Sequence, residues 1–132
     1  MSNKKLGNDF EKHLSRLLYK DGFWVHNFAN KTNGQPADII AVKNHRSFLI
    51  DAKVCTNDIF DTTRVEENQK NSMFLWELCG NGNGYFALET SDGIYFIDST
   101  TILTYRQEKR TMNLSDIKCN GTPYDEWRAT IL

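Results

Sequence analysis

The sequence lacks any long apolar run, since no stretch approaches the ~18 uncharged apolar residues that a membrane-spanning helix needs. Its amino terminus, MSNKKLGNDF, also lacks the apolar core of a signal peptide. With 132 residues, of which 39% are apolar and 25% charged, the composition is typical of one globular domain. We therefore expect a single domain over residues 1–132, located in the cytoplasm.

Cysteine and histidine are too sparse and too scattered for the sites they usually build. The three cysteines, Cys55, Cys79 and Cys119, are odd in number and lack metal-ligand spacing. Reduced thiols are therefore favoured over a disulfide framework or a zinc site. The three histidines are equally dispersed, so packing or surface roles are the simplest interpretation of all six residues.

Basic residues are not in excess overall, because the net charge is −1. Residues 1–53, however, contain nine Lys and Arg against five Asp and Glu, whereas residues 54–132 contain seven against twelve. The basic surplus thus lies in the half that carries the candidate site described next, where a phosphate backbone would need it. A chance distribution of solvated charges is the alternative.

Residues 34–54, GQPADIIAVKNHRSFLIDAKV, are the most informative stretch. Residues 37–42 and 47–52 are rich in aliphatic side chains and flank a polar turn, which predicts an antiparallel hairpin. This pairing brings the head of the first strand beside the tail of the second, with neighbouring strands ~4.8 Å apart. Asp38 and Asp51 should therefore lie within reach of one metal ion, with Lys53 on the same face as Asp51.

The chemistry of this set suits metal-assisted phosphodiester hydrolysis. Carboxylates that share a pocket repel each other unless a cation neutralises them, and oxygen ligands select a hard ion such as Mg²⁺ or Mn²⁺. Glu11, on the edge of the apolar stripe of the first predicted helix, is placed to lean towards the same site. The alternative is a surface ion pair of Asp51 with Lys53 and an unrelated Asp38, because Asp-x-Lys alone is a weak motif.

The remaining patterns predict a mixed α/β domain, with a mixed central sheet flanked by helices. A helix is expected over residues 8–20 and a strand over residues 23–28. Thr63 and Glu66 have the spacing of a capping box that opens a second helix, ending near Cys79. That helix should carry a broad apolar surface that includes Val65, Met73, Leu75, Trp76 and Leu78.

The last third of the chain is harder to assign. A second hairpin is expected over residues 84–98, turning near residues 91–93, and a short helix is expected from Ser99. Residues 109–132 have no pattern that favours an element, although Trp127 suggests that this segment docks on the domain.

Four segments resemble the PD-(D/E)XK nuclease superfamily, and within it the Holliday-junction resolvases of the archaeal Hjc and Gram-positive RecU types. GNDFE at residues 7–11 resembles the G-x-x-x-E opening helix, PADII at residues 36–40 the central aspartate, and LIDAK at residues 49–53 the strand that ends in D/E-x-K. ENQKNSM at residues 67–73 resembles the helix whose glutamine faces the site. The likeness covers roughly residues 6–98, which leaves residues 99–132 as a carboxyl-terminal extension.

The resemblance implies a restriction-endonuclease-like αβββαβ core and a Mg²⁺-dependent, structure-selective DNA endonuclease that resolves Holliday junctions as a homodimer. It implies that Glu11, Asp38, Asp51 and the Ala52 carbonyl bind the metal and that Lys53 is catalytic. Gln69 is either part of this site or a solvent-facing helix residue. The candidate contacts to DNA are Lys4, Lys5, Lys12, Arg16, Lys31, Thr32, Asn33 and Lys70.

Two departures from the resolvase pattern bear on substrate choice. Asp51 stands where resolvases usually have Glu, and the loop over residues 29–36 is too short for the stalk that RecU-type enzymes insert. A restriction-like or defence nuclease that acts on duplex DNA is therefore an alternative. A non-catalytic nucleic-acid-binding module with a nuclease fold is another, although its expected sign is a broken carboxylate set.

Overall fold

The computed structural model describes residues 3–28 and 37–131. Eight strands and five α-helices follow one another in these ranges. In chain order they are α1 (Asn3–Lys20), β1 (Trp24–Asn27), β2 (Ile39–Lys43), β3 (Arg46–Val54), β4 (Phe60–Asp61), α2 (Glu67–Trp76), β5 (Tyr85–Thr90), β6 (Gly93–Asp98), α3 (Ser99–Gln107), β7 (Thr111–Met112), α4 (Leu114–Asn120), β8 (Thr122–Pro123) and α5 (Tyr124–Ala129).

Six of these strands form one mixed sheet in the order β1-β2-β3-β5-β6-β8. The chain crosses from β3 to β5 through α2, and these two strands pair in parallel. The other neighbours within this sheet are antiparallel. β4 and β7 form a separate two-stranded sheet.

Helices cover both faces of the sheet, as the sequence predicts. On one face α1 packs through Phe10, Leu14 and Leu18, which recur every four residues and are almost fully buried. On the other face the core includes Met73 of α2 and Ile102 of α3. No helix in the described part of the chain is long and apolar enough to cross a membrane.

The predicted hairpin is β2 and β3. Lys43 pairs with Arg46, so the loop has only two residues, Asn44 and His45, and both have positive φ (51° and 65°). Two positive φ angles define a type I′ turn, whose twist matches that of the flanking strands. The turn fixes the register of the hairpin, in which Ile39 lies opposite Ile50.

The start of the second predicted helix is wrong. Thr63 lies in a short 3₁₀ helix, Thr62–Arg64, which Asp61 caps by accepting a hydrogen bond from the Thr63 backbone amide. α2 begins only at Glu67, where Gln69 reaches back to accept a hydrogen bond from the Glu66 backbone amide at 3.1 Å. Glu66 is therefore the cap of α2 rather than the third residue of its first turn.

The apolar face predicted for this helix is confirmed in part, because Val65 is buried and Trp76 packs half-buried against the core. Met73 is fully buried, but Phe74, Leu75 and Leu78 are 60%, 60% and 68% exposed. A π-helical turn, Glu77–Asn81, follows α2 and carries Leu78. These three residues, called here the α2 apolar patch, lie on the surface because the sheet accepts only one side of the helix.

The carboxyl-terminal segment, for which the sequence offered no assignment, completes both cores. β8 extends the sheet beside β6, and Ile117 of α4 is buried on the α2 side. Trp127 of α5 packs on the opposite side, with its ring centroid 4.2 Å from that of Phe96. The expectation that Trp127 docks on the domain is thus confirmed.

Candidate active site

The hairpin register places Asp38 and Asp51 next to each other on adjacent strands. Asp38 comes one residue before the start of β2, and its backbone amide donates to the Ile50 carbonyl at 3.2 Å. The Ala52 amide in turn donates to Asp38 Oδ2 at 2.9 Å. The two carboxylates therefore meet at the end of β3, as the sequence predicts.

Asp51 is completely buried, and its environment resists ionisation. Burial raises the pKa of its carboxyl well above the usual value, and the neighbouring Asp38 charge raises it further, whereas Lys53 opposes both effects. Gln69 Nε2 donates to Asp51 Oδ1 at 3.1 Å, and Lys53 Nζ lies 3.2 Å from Oδ2. No donor among the described residues makes a well-directed hydrogen bond to Oδ2. Lys53 therefore offsets only part of the rise in the pKa of Asp51.

Gln69 belongs to the site rather than to the solvent-facing side of α2. Its amide nitrogen contacts Asp51, and its Oε1 accepts from Lys53 Nζ at 3.4 Å as well as from the Glu66 backbone amide. The turn that begins α2 thus fixes the direction of the Gln69 amide. The Gln69 amide therefore bridges the Asp51 carboxylate and the Lys53 ammonium by hydrogen bonds.

Glu11 is buried at the edge of α1 and lines one cavity with Asp38, Ala52 and Lys53. The cavity has a volume of about 760 Å³ and lies at the end of β3 where β2 begins. Across residues 3–28 and 37–131, however, no three His, Cys, Asp or Glu side chains are close enough together to hold a metal ion. Asp38 and Asp51 are the adjacent pair, and Glu11 borders the space in front of them.

The donor set fits a hard divalent cation. Asp51 Oδ2 is a buried carboxylate oxygen without a directed donor, which is what a cation would satisfy. Within a strand the amide and carbonyl of one residue face the same side. Because the Ala52 amide faces Asp38, the Ala52 carbonyl faces the same side, beyond the start of β2. Mg²⁺ commonly takes one or two carboxylates and keeps several waters.

The predicted contacts to DNA are spread over several surfaces. Lys4 lines the cavity, whereas Lys12 and Arg16 are exposed on α1. Lys5 lies 3.8 Å from Asp9, and Lys70 lies 3.4 Å from Glu67. Lys31, Thr32 and Asn33 lie outside the described residues. The described candidates therefore lie on α1 and α2, which cover opposite faces of the sheet.

Arg64 is a cavity residue that the sequence did not single out. Its Nη1 donates to the Val54 carbonyl at 2.8 Å, and its guanidinium lies over the Phe60 ring at 5.8 Å. It lines the same cavity as Asp38 and Lys53. In the sequence Arg64 is only a basic residue five positions before Gln69. This spacing does not predict a place in the cavity unless the 3₁₀ helix before α2 is known.

Comparison with known proteins places these features in one family. The family model described as "Archaeal holliday junction resolvase (hjc)" matches residues 2–123. The match extends past residue 98 and includes β7, α4 and β8. No curated protein matches the chain in a sequence comparison.

A solved structure with the same fold is that of Archaeoglobus fulgidus Hjc, described as a Holliday junction resolvase from an archaeal hyperthermophile. The two chains are 20% identical, and the TM-score is 0.72. The match covers 92% of this chain and 99% of the Archaeoglobus chain. The fold is thus shared over almost the full length of both proteins. With the family model matching most of its residues, the chain belongs to the archaeal Holliday-junction resolvase (Hjc) family.

Proposed function

We propose that this resolvase cuts branched DNA at the cavity lined by Asp38 and Lys53, beside the buried Asp51, with Mg²⁺ as its cofactor. Membership of the Hjc family makes it a structure-selective endodeoxyribonuclease, and resolvase nucleases of this family generally use a divalent metal. The observation that supports this site is the carboxylate pair of half-buried Asp38 and buried Asp51, in which Asp51 Oδ2 has Lys53 Nζ at 3.2 Å and no directed hydrogen bond among the described residues.

Asp38, Asp51 and the Ala52 carbonyl would hold the ion, with Glu11 facing it from the cavity wall. When bound, Mg²⁺ polarises a phosphate oxygen and lowers the pKa of a coordinated water. Gln69 holds Lys53 beside the pair, where its ammonium would stabilise the negative charge that develops on phosphorus. Gln69 is a positioning residue, because it acts through Asp51 and Lys53.

The decisive assay compares a four-way junction with a duplex of the same arm sequence, each with Mg²⁺, with Mn²⁺ and with EDTA. Cleavage should require the metal, and the junction should be cut in preference to the duplex. Equal cleavage of both substrates would favour the duplex-directed nuclease, and binding without cleavage would favour the non-catalytic module.

Two variants locate the chemistry. Asp38→Asn removes charge from the metal site and Lys53→Ala removes the ammonium, so each should abolish cleavage while the circular dichroism spectrum is unchanged. Asp125→Asn is the matched carboxylate control, because Asp125 is exposed on α5. Cleavage at the wild-type rate by either site variant would mean that the active site lies elsewhere.

We also propose that the enzyme is a homodimer that buries the α2 apolar patch. Resolution of a junction requires two cuts on two strands, and therefore two sites. Phe74, Leu75 and Leu78 are large apolar side chains that stand mostly exposed close together along the chain. Soluble monomers seldom leave such clusters uncovered, whereas stable interfaces bury about 800 Å² per partner around apolar centres.

Sedimentation of the wild-type protein should give the mass of a dimer. The double variant Leu75→Glu, Leu78→Glu should be a monomer, because a dimer would bury two carboxylates per chain in the contact. This monomer should nick junctions rather than make paired cuts. Tyr19→Glu, which changes an equally exposed side chain on α1, should remain dimeric. A monomeric wild-type protein, or a dimeric double variant, would refute the proposed surface.

A further inference from the structure

Three aromatic side chains stand in a row on the edge strand of the sheet. Trp24, His26 and Phe28 alternate with Val25 and Asn27, so they share one face of β1 and its continuation. The Trp24 and His26 rings are nearly parallel, at 17° with centroids 6.4 Å apart. The His26 and Phe28 rings meet edge to face at 4.8 Å. These three residues are called here the β1 aromatic row.

The row is on the surface although it is aromatic. Trp24 is 62% exposed, His26 is also exposed and Phe28 is half-buried. Val25, between the first two, packs into the core beneath α1. The sheet thus partly covers the small aliphatic side chain and leaves the Trp24 and His26 rings exposed, and no core cluster of the described residues includes these two rings.

The row leads into the candidate active site. Trp24 pairs with Val42 and His26 with Ile40, so the row shares a sheet face with Asp38, two residues before Ile40. The Phe28 amide donates to the Asp38 carbonyl at 2.8 Å, which makes Asp38 the cross-strand neighbour of Phe28. Opposed side chains on neighbouring strands have Cβ atoms about 5 Å apart. A DNA strand whose phosphate lies at Asp38 therefore has the aromatic row beside its next nucleotides.

We propose that the β1 aromatic row is a base-stacking subsite that receives unstacked bases of the DNA strand held at the active site. The inference rests on the proposed function, because the position of Asp38 gives the row its direction. In an open four-way junction the base pair at the branch end of each arm lacks a stacking neighbour, whereas base pairs within a duplex do not. Every base presents a π face, and stacking on an exposed aromatic ring changes affinity roughly 5- to 150-fold per base. The row thus favours branched over continuous DNA without reading sequence.

The test measures binding in EDTA, which separates it from cleavage. Trp24→Ala should weaken binding to a four-way junction by roughly fivefold or more, and should change binding to the matched duplex by less than twofold. Trp24→Phe keeps a π face and should restore most of the junction affinity. Tyr19→Ala removes an aromatic side chain that is 76% exposed on α1, which covers the opposite face of the sheet, and should bind like the wild type.

A 2-aminopurine placed next to the branch point gives a second readout. Its fluorescence should fall when the wild-type protein binds and should fall less with Trp24→Ala. The inference is overturned if Trp24→Ala binds the junction as tightly as the wild type, or if junction and duplex binding weaken equally. It is also overturned if the wild-type protein is a dimer and the Trp24→Ala variant is a monomer, because a second copy of the chain would then cover the row.

The two proposals fail separately. If the wild-type protein leaves the junction uncut in Mg²⁺ and Mn²⁺, the proposed function fails, while selective loss of junction binding in Trp24→Ala still supports the stacking subsite. If the wild-type protein cuts the junction and Trp24→Ala binds it normally, only the stacking subsite fails.

Discussion

Trp127 should hold the carboxyl-terminal segment on the domain, and its removal should be among the most destabilising single changes in the chain. Its side chain is 4% exposed. Its ring stacks on Phe96 at 4.2 Å and on Phe23 at 5.7 Å, and it meets Phe48 and Tyr85 edge to face at 5.1 and 5.7 Å. One side chain thus joins α5 to β3, β5, β6 and the residue before β1.

The expected loss follows from that burial. Replacing a buried Trp by Ala costs about 3–5 kcal/mol in the free energy of unfolding, through lost contacts and the cavity left behind. For a chain of 132 residues this corresponds to a fall of about 10–18 °C in Tm. Trp127→Phe should cost less than about 1.5 kcal/mol, because it keeps a ring and removes an indole N–H that has no hydrogen-bond partner among the described residues.

Urea denaturation and differential scanning calorimetry measure both variants, and Trp24→Ala is the control. Trp24 is mostly exposed, so its loss should change the free energy of unfolding by about 0.5 kcal/mol or less. A change of less than about 1 kcal/mol for Trp127→Ala would refute the argument. It would mean that α5 contributes little to the stability of the sheet.

Three further predictions concern the active site and the thiols. Asp51→Asn should abolish cleavage yet raise the Tm of the metal-free protein above pH 4. Because the pKa of Asp51 is raised, the folded state binds more protons than the unfolded state, and wild-type stability falls as pH rises above the usual Asp value. Thermal scans across pH should show that the variant lacks this fall. Gln69→Ala should lower Mg²⁺ affinity or cleavage about 10- to 100-fold in a magnesium titration, whereas Asn71→Ala, which changes an exposed residue of the same helix, should not. Burial raises the pKa of the Cys55 thiol to about 11. Ellman's reagent at neutral pH should therefore modify the exposed Cys79 and Cys119 rapidly and Cys55 only after denaturation. Rapid reaction of all three thiols would contradict the burial of Cys55.

The sequence predicted the part of the site that depends on local pattern. Alternating residues and a polar turn are sufficient to predict that Asp38 meets Asp51, because hairpin register follows from strand and turn alone. Gln69 could not be placed in this way. Its position depends on a helix that begins at Glu67, and the Thr63–Glu66 spacing imitated a cap three residues too early.

The remaining errors have a common physical cause. Hydrophobicity predicts that Leu75 and Leu78 are covered, but it does not say whether this chain or another molecule covers them. The two-residue strands β7 and β8 are too short to show periodicity, and they form because β4 and β6 offer partners. Contacts between distant segments decide both cases, and no local window contains them.

The alternation of side chains between the two faces of β3 limits the insertions and deletions that this strand tolerates. Phe48, Ile50 and Ala52 pack beneath α1, while Asp51 and Lys53 contact Gln69 of α2. Inserting or deleting one residue between Arg46 and Asp51 would exchange these faces and bury the charged pair under α1. A two-residue change would keep the faces but move Asp51 about 6.8 Å along the strand, away from Asp38. Homologous and engineered variants of this protein should therefore differ here by substitution and place their insertions and deletions elsewhere.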